Sequence, residues 1–354
     1  MTDETDQTMN RAEEATTDEH AAVAADVAQI GPSGAGELAN HAALANRIRD
    51  EISQVVVGQE DAITHVVAAL IAGGHVLLEG VPGLGKTLLV LALARTFGGE
   101  FARVQFTPDL MPSDVTGHAM LDGTTGEFVV RRGPAFTNLL LTDEINRAPA
   151  KTQAALLEVM QEEQITIEGE SFRLAPPFMV LATQNPIEQE GTYPLPEAQL
   201  DRFLLKVKIE YPDETEEQAI VRAVTAGSVG QKLDVGRVTQ VANPEDIMAL
   251  QQAAVGVAVD ERITEYAVRI VRATRQWSGI QVGAGPRGAI ALIRVARALA
   301  LLAGRDYVLP DDIRDVSYPV LRHRVVLAPE VQIEGLSADQ VLAALLGKVP
   351  APRS

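Results

Sequence analysis

The segment Gly80-Val81-Pro82-Gly83-Leu84-Gly85-Lys86-Thr87 constrains this chain more than any other. It fits G-x-x-x-x-G-K-[ST], a loop whose glycines let backbone N–H groups curl around phosphate oxygens. In such a loop the lysine, here Lys86, reaches the β- and γ-phosphates, and the hydroxyl of Thr87 holds Mg²⁺. A short apolar run at 75–79 leads into the loop, and 87–94 is rich in helix formers. Phosphates bound here fall at a helix N-terminus, where the dipole favours anions.

The remaining sequence suits an α/β fold. Its 354 residues, 46% of them hydrophobic, are enough for two domains. Strand-like runs at 75–79, 101–106, 138–142, 178–183 and 204–209 alternate with helical ones at 86–97, 150–162 and 196–201. That alternation predicts parallel βαβ units with ligand at the carboxyl edge of the strands. After Pro212 the pattern is helical, at 214–226, 244–254, 260–278, 286–303, 310–321 and 338–346. The expected organisation is a nucleotide-binding α/β domain over 41–211 and a smaller helical domain over 212–350. Residues 1–40 carry nine acidic side chains and one basic, lack aromatics and end in Gly31-Pro32-Ser33-Gly34-Ala35-Gly36. They read as an acidic disordered tail. From about 41, Leu44, Ile48 and Ile52 repeat at helical spacing.

The formal net charge is −18, which argues against a protein that coats nucleic acid or anionic membrane. The absence of cysteine removes disulfides and thiolate chemistry and suits a reducing compartment. No apolar run follows a basic start, and no stretch of about 18 uncharged apolar residues occurs, so a cytoplasmic protein without a membrane span is expected. The six histidines lack zinc-ligand spacing and read as surface or packing residues.

Four further places carry chemistry. The apolar run 138–142 ends in Asp143-Glu144. Downstream of a phosphate loop, this places Asp143 by Mg²⁺ and Glu144 where it polarises the attacking water. The run 178–183 leads to Gln184 and Asn185, whose amide can bridge a phosphate oxygen and that water; an Asx-turn before Pro186 is compatible with this. Arg202 follows Asp201 and either pairs with a local acid or neutralises transition-state charge on phosphate, in the second case from a neighbouring subunit. Arg287 follows Pro286 at the start of a long helix, where the dipole disfavours a cation unless an anion such as nucleotide phosphate lies opposite.

In this order, the phosphate loop, Asp-Glu, Asn, Arg and Pro-Arg resemble an AAA+ ATPase. Longer segments resemble the MoxR family within it: 106–117 (Phe-Thr-Pro-Asp-Leu-Met-Pro-Ser-Asp-Val-Thr-Gly), 143–153 and 183–198. The resemblance covers about 41–347 and leaves out the tail. It implies a parallel-sheet core with β-hairpins inserted in helix 2, around 109–130, and before sensor 1, at 163–173. An α-helical lid domain follows. By the same resemblance Gly80, Gly85, Lys86 and Thr87 match Walker A, with Pro82, Gly83 and Leu88 beside them. Asp143 and Glu144 match Walker B, Asn185 sensor 1, Arg202 the arginine finger and Arg287 sensor 2. Val57, Gly58 and Gln59 fall where such proteins contact adenine. The sensor 2 segment departs from the family's Gly-Ala-Ser-Pro-Arg-Ala in having Gly285 and Gly288 around Pro286-Arg287.

The implied function is ATP hydrolysis with Mg²⁺ by a hexameric ring that remodels, matures or activates a protein complex, with a von Willebrand factor A-domain partner and a protein client. The inserted hairpins would face the pore or that client. Three other readings stay open at this point: the ATPase subunit of a metal-chelatase complex, a nucleic-acid motor, and a nucleotide-gated scaffold with little turnover. The acidic balance weighs against the motor, and Glu144, Asn185 and Arg202 against the scaffold.

Overall fold

A computed structural model of the chain describes residues 33–352, except 82, 125, 186–191 and 226–234. In chain order the first half comprises α1 (Ser33–Ser53), α2 (Glu60–Ile71), β1 (Val76–Glu79), α3 (Lys86–Thr96), β2 (Phe101–Gln105), α4 (Pro112–Thr116), β3 (Gly117–Leu121), β4 (Phe128–Arg132), β5 (Leu139–Asp143), α5 (Ala150–Glu162), β6 (Gln164–Ile167), β7 (Glu170–Arg173), β8 (Met179–Gln184), α6 (Glu197–Leu200) and β9 (Leu205–Lys208). The second half comprises α7 (Glu214–Thr225), α8 (Pro244–Val255), α9 (Glu261–Thr274), β10 (Ile280–Val282), α10 (Pro286–Leu302), α11 (Pro310–Leu321), β11 (Val326–Leu327), α12 (Pro329–Ile333) and α13 (Ala338–Leu346).

The five runs predicted as strands form one parallel sheet in the order β2-β5-β8-β1-β9. Its central strands β5, β8 and β1 are apolar and buried on both faces, as strands covered by helices on either side must be. Register brings their carboxyl ends level: Glu79 pairs with Gln184, and Thr142 with Ala182. One face packs on a core that includes Phe106, Leu156, Val180 and Phe203.

Both expected hairpins are present. Glu168 and Gly169 join β6 to β7 with φ of 49° and 85°, the left-handed pair that a two-residue type I′ turn needs. The first hairpin begins later than expected, because Pro112 and the Asp114 carboxylate, which accepts from Met111 N–H, start helix α4 ahead of β3. Its outer side chains Met120, Leu121, Phe128 and Val129 are exposed, Phe128 to 77%.

Two expectations need correction. The first described helix starts at Ser33, not about 41; Leu38 and Ala42 extend the helical period ahead of Leu44, and the helix takes in the end of the stretch read as a disordered tail. The helix expected over 260–278 stops at Thr274. There the Thr274 hydroxyl turns back to Val271 O and accepts the Ala284 N–H, and the chain returns as β10 to pair antiparallel with β11. On β9, Lys206 and Lys208 pair with Glu79 at 2.5 Å and with Asp339 at 2.6 Å. Gly288, a departure from the family pattern, lies where a Cβ would crowd Ala284 and Leu321 at 3.3 Å, so it permits close packing of α10.

The lid helices α9, α10 and α11 bury Ile270, Leu292, Val295, Ile313 and Val316 among themselves. Arg322-His323-Arg324, just after α11, joins them to the sheet. Arg322 donates to Asp339 and to Lys206 O, and His323 Nε2 meets Phe203 O at 3.0 Å. Arg324, only 3% exposed, donates to Asp201 at 2.8 Å and to Phe203 O at 2.6 Å. No helix among the described residues is long and apolar enough to cross a membrane.

Candidate functional site

The phosphate loop leaves β1 and runs directly into α3. A Cβ on Gly80 would lie 2.7 Å from Ile209 O, so this glycine is required by the passage of the loop against the end of β9. Gly83 and Gly85 serve differently. Their φ angles of 88° and 81° are left-handed, and a Cβ built on either meets nothing within 4 Å, so the concave side of the loop is open. Gly85 stands at the N-cap of α3, whose first N–H groups have no partners within the helix. Thr87 and Leu88, in that first turn, are half-buried. Pro82 lies outside the described residues.

Lys86 Nζ donates to Gly80 O at 2.5 Å and to Val81 O at 3.1 Å. Burial lowers its pKa, while the charges of Asp143 and Glu144 push it back up. Its ammonium therefore already sits in the field of both carboxylates.

Asp143 ends the buried strand β5. Its Oδ2 accepts from Arg103 Nε at 2.7 Å and its Oδ1 from Thr183 Oγ1 at 3.2 Å. Glu144 turns out of the strand with φ 55° and ψ 51°, a left-handed conformation that costs a non-glycine residue about 1–3 kcal/mol. Two contacts hold it there. Its N–H donates to Thr183 Oγ1 at 2.9 Å, and its carboxylate accepts from Arg147 Nε at 2.8 Å. Arg147 is thus engaged by Glu144 of its own chain. Asn185, buried, follows β8 at the same edge. The structure therefore gathers Lys86, Thr87, Asp143, Glu144 and Asn185 at the carboxyl edge of the sheet.

The segment expected to meet adenine lies next to them. Gln59 Nε2 donates to Glu210 O at 2.8 Å, which fixes Val57 and Gly58 beside the end of β9 and hence beside Gly80. Gly58, at φ 74°, faces Glu216: a Cβ there would be 2.6 Å from its Oε2. A cavity of about 360 Å³ opens along Gly58, Gln59, Lys208 and Asp339.

The two candidate arginines are elsewhere. Arg202 and Arg287 line a cavity of about 330 Å³ together with Gly74, His75, Leu204 and Arg294. Gly74 and His75 precede β1 and Leu204 precedes β9, so this is the amino edge of the sheet. Four-residue strands rising about 3.3 Å per residue put it roughly 13 Å from the phosphate loop's edge. Arg202 Nη1 donates to Leu157 O at 3.1 Å, and its Nε is buried with no hydrogen-bond partner among the described residues. Asp201, the acid expected to neutralise Arg202, pairs with Arg324 at 2.8 Å and with Arg287 at 3.6 Å. Arg287 thus has a carboxylate opposite it and does not join its own chain's phosphate loop.

Sequence reasoning missed Arg103, Thr183, Arg324, and Asp201 as the partner of Arg324 and Arg287 rather than of Arg202. Arg103 and Thr183 were visible as polar side chains in otherwise apolar strand runs. Nothing local marked Arg324, whose partners Asp201 and Phe203 lie more than a hundred residues earlier.

Residues 75–205 match the ATPase family associated with various cellular activities (AAA), and residues 272–345 match the AAA lid domain. The chain is 48% identical to the uncharacterized protein YeaC of Bacillus subtilis, over 86% of this chain and 94% of that one. It is 44% identical to the chaperone MoxR1 of Mycobacterium tuberculosis, over 91% of this chain and 86% of that one. Among solved structures, a candidate ATPase from Cytophaga hutchinsonii superimposes with a TM-score of 0.83 at 42% identity, over 91% of this chain and 99% of that one.

Proposed function

We propose, for a chain that belongs to the MoxR family of AAA+ ATPases, that ATP is hydrolysed at sites shared between neighbouring subunits of a ring, and that turnover drives remodelling or activation of a protein complex. The observation that carries this reading is the division of the candidate residues between two edges of one sheet. Lys86, Asp143, Glu144 and Asn185 stand at the carboxyl edge, while Arg202 and Arg287 stand at the amino edge. A single subunit cannot bring both groups to one phosphate. Arg202 lines the amino-edge cavity, its Nε unpartnered among the described residues, and Arg287 is half-exposed, so both suit the nucleotide of an adjacent copy.

Within one subunit the open concave side of the loop at Gly83 and Gly85 and the free N–H groups of α3 suit a polyphosphate. Lys86 would exchange its two loop carbonyls for phosphate oxygens. Val57 and Gly58 would border the base. The hydroxyl of Thr87 and the carboxylate of Asp143 suit Mg²⁺, which would neutralise charge on the β- and γ-phosphates. Both Asp143 oxygens already accept hydrogen bonds, which favours contact through water. Glu144 would take up the attacking water's proton, and Asn185 would orient that water. A neighbour's Arg202 and Arg287 would neutralise the charge that develops as the γ-phosphoryl leaves.

The exposed apolar tip of the β3–β4 hairpin suits contact with a protein client. A von Willebrand factor A-domain protein is the partner that the family implies. Light scattering of Glu144→Gln with ATP tests assembly: a mass several times that of the chain, hexameric in this reading, is expected. A wild type that stays monomeric with ATP at all concentrations yet hydrolyses it at full rate would refute the ring.

A further inference from the structure

Thr183 opens the 183–198 segment without an assigned role there, yet its hydroxyl touches both carboxylate-bearing residues of the site. It lies on β8, two residues before Asn185, and is 2% exposed. The direction of its bonds is fixed by chemistry. The Glu144 N–H can only donate, so Oγ1 accepts it, at 2.9 Å. Asp143 Oδ1 accepts, so the hydroxyl proton points to it, at 3.2 Å.

We propose that Thr183 is a positioning residue for ATP hydrolysis, setting the backbone turn at Glu144 and the carboxylate plane of Asp143 through one hydroxyl. The turn needs such a tether because Glu144 is held at φ 55°, where a non-glycine residue does not rest unaided. The plane of Asp143 is fixed because Thr183 holds Oδ1 while Arg103 holds Oδ2 at 2.7 Å. β8 carries Thr183 and leads directly into Asn185, so a shift of that strand moves the water-orienting amide and both carboxylates in one step. Without the hydroxyl, Glu144 relaxes and its carboxylate leaves the line of attack, while Lys86 and the loop that hold ATP are untouched.

The inference rests on the assignment of Glu144 as the group that polarises water, and the test separates the two. Thr183→Val keeps the shape and removes the hydroxyl; Thr183→Ser keeps the hydroxyl. Wild type, both variants and Glu144→Gln are compared for kcat, KM and binding of a fluorescent ATP analogue. Thr183→Val is expected to lose about 10–100-fold in kcat, since displacements of about 1 Å cost rates of this order, with analogue affinity within about twofold. Thr183→Ser is expected to recover kcat to within about threefold of wild type. If Thr183→Val fails to fold, Thr183→Ala, which admits a water, carries the same expectation. A wild-type kcat in Thr183→Val beside an inactive Glu144→Gln overturns this inference alone. So does a Thr183→Ser as slow as Thr183→Val, or a loss confined to affinity. An active Glu144→Gln overturns the assignment beneath it as well.

Discussion

His75 makes the stability of this protein depend on pH in a way that can be worked out in advance. The ring is buried in the step from α2 into β1. Its Nδ1 accepts the Val180 N–H at 3.0 Å, and its Nε2 lies 2.9 Å from Met160 O, which makes Nε2 the protonated nitrogen. Protonating Nδ1 would leave the Val180 N–H facing a donor. Burial, helped by the nearby charge of Arg294 and opposed by the bond to Met160 O, holds the pKa down at about 4, against 6.5 for an ordinary histidine. The unfolded chain therefore takes up a proton as pH falls through about 6.5, and the folded chain does so only near 4. Stability from this group is complete above about pH 6.5 and falls by about 1.4 kcal/mol per pH unit below it, for a total loss of about 3 kcal/mol by pH 4. His75→Asn keeps an acceptor for Val180 but loses Met160 O and leaves a void, so it should cost about 1–2 kcal/mol near pH 7.5. Denaturant unfolding of both proteins across pH isolates the effect, because His323 and the carboxylates titrate alike in each. The deficit of the variant should shrink as pH falls and vanish or reverse near pH 4.5. A deficit that stays constant with pH would refute the reasoning.

The nucleotide site gives three further expectations. Lys86→Ala should abolish ATP binding, because it removes the charge on the phosphates, whereas Glu144→Gln should bind ATP and not turn it over; equal loss of binding in both would contradict the assigned roles. Arg103→Gln should tighten Mn²⁺ binding about fivefold by electron paramagnetic resonance, since it frees Asp143 Oδ2 from a half-exposed ion pair worth about 1 kcal/mol, and weaker binding would contradict the competition. Asp201→Ala should lower stability by about 3 kcal/mol, because it leaves the 3%-exposed Arg324 guanidinium without its carboxylate; an unchanged melting temperature would contradict the junction as described.

The sheet was legible in the sequence because its central strands are buried on both faces, so β1, β5 and β8 read as apolar runs with a phosphate loop, carboxylates or amides at their ends. The hairpin at 164–173 was expected from the family resemblance alone; the structure shows that Glu168-Gly169 meets the demand of a two-residue turn for left-handed backbone. What stayed hidden depends on tertiary placement. β10 takes its partner from β11, more than forty residues later, and its short sequence reads equally well as the end of a helix. The motif order suggested that Arg287 reads phosphate, but only the packing of α10 could reveal that it shares a cavity with Arg202 at the far edge. Arg324 acts through groups brought near by the fold, so spacing along the chain carried no sign of it, while Thr183 showed as a polar side chain in an apolar run without revealing its partners.

A mixing experiment tests the shared site most directly. Lys86→Ala loses a pocket but retains Arg202; Arg202→Ala keeps its pocket but has no arginine to offer a neighbour. Each alone should be nearly inactive, since an arginine supplied in trans is worth roughly 10³–10⁵ in rate. Mixed under conditions where size-exclusion chromatography shows joint assemblies, they should regain ATP hydrolysis, because an intact pocket then meets an intact arginine. Mixed assemblies that form and remain inactive would contradict the account that each site is completed by the next subunit.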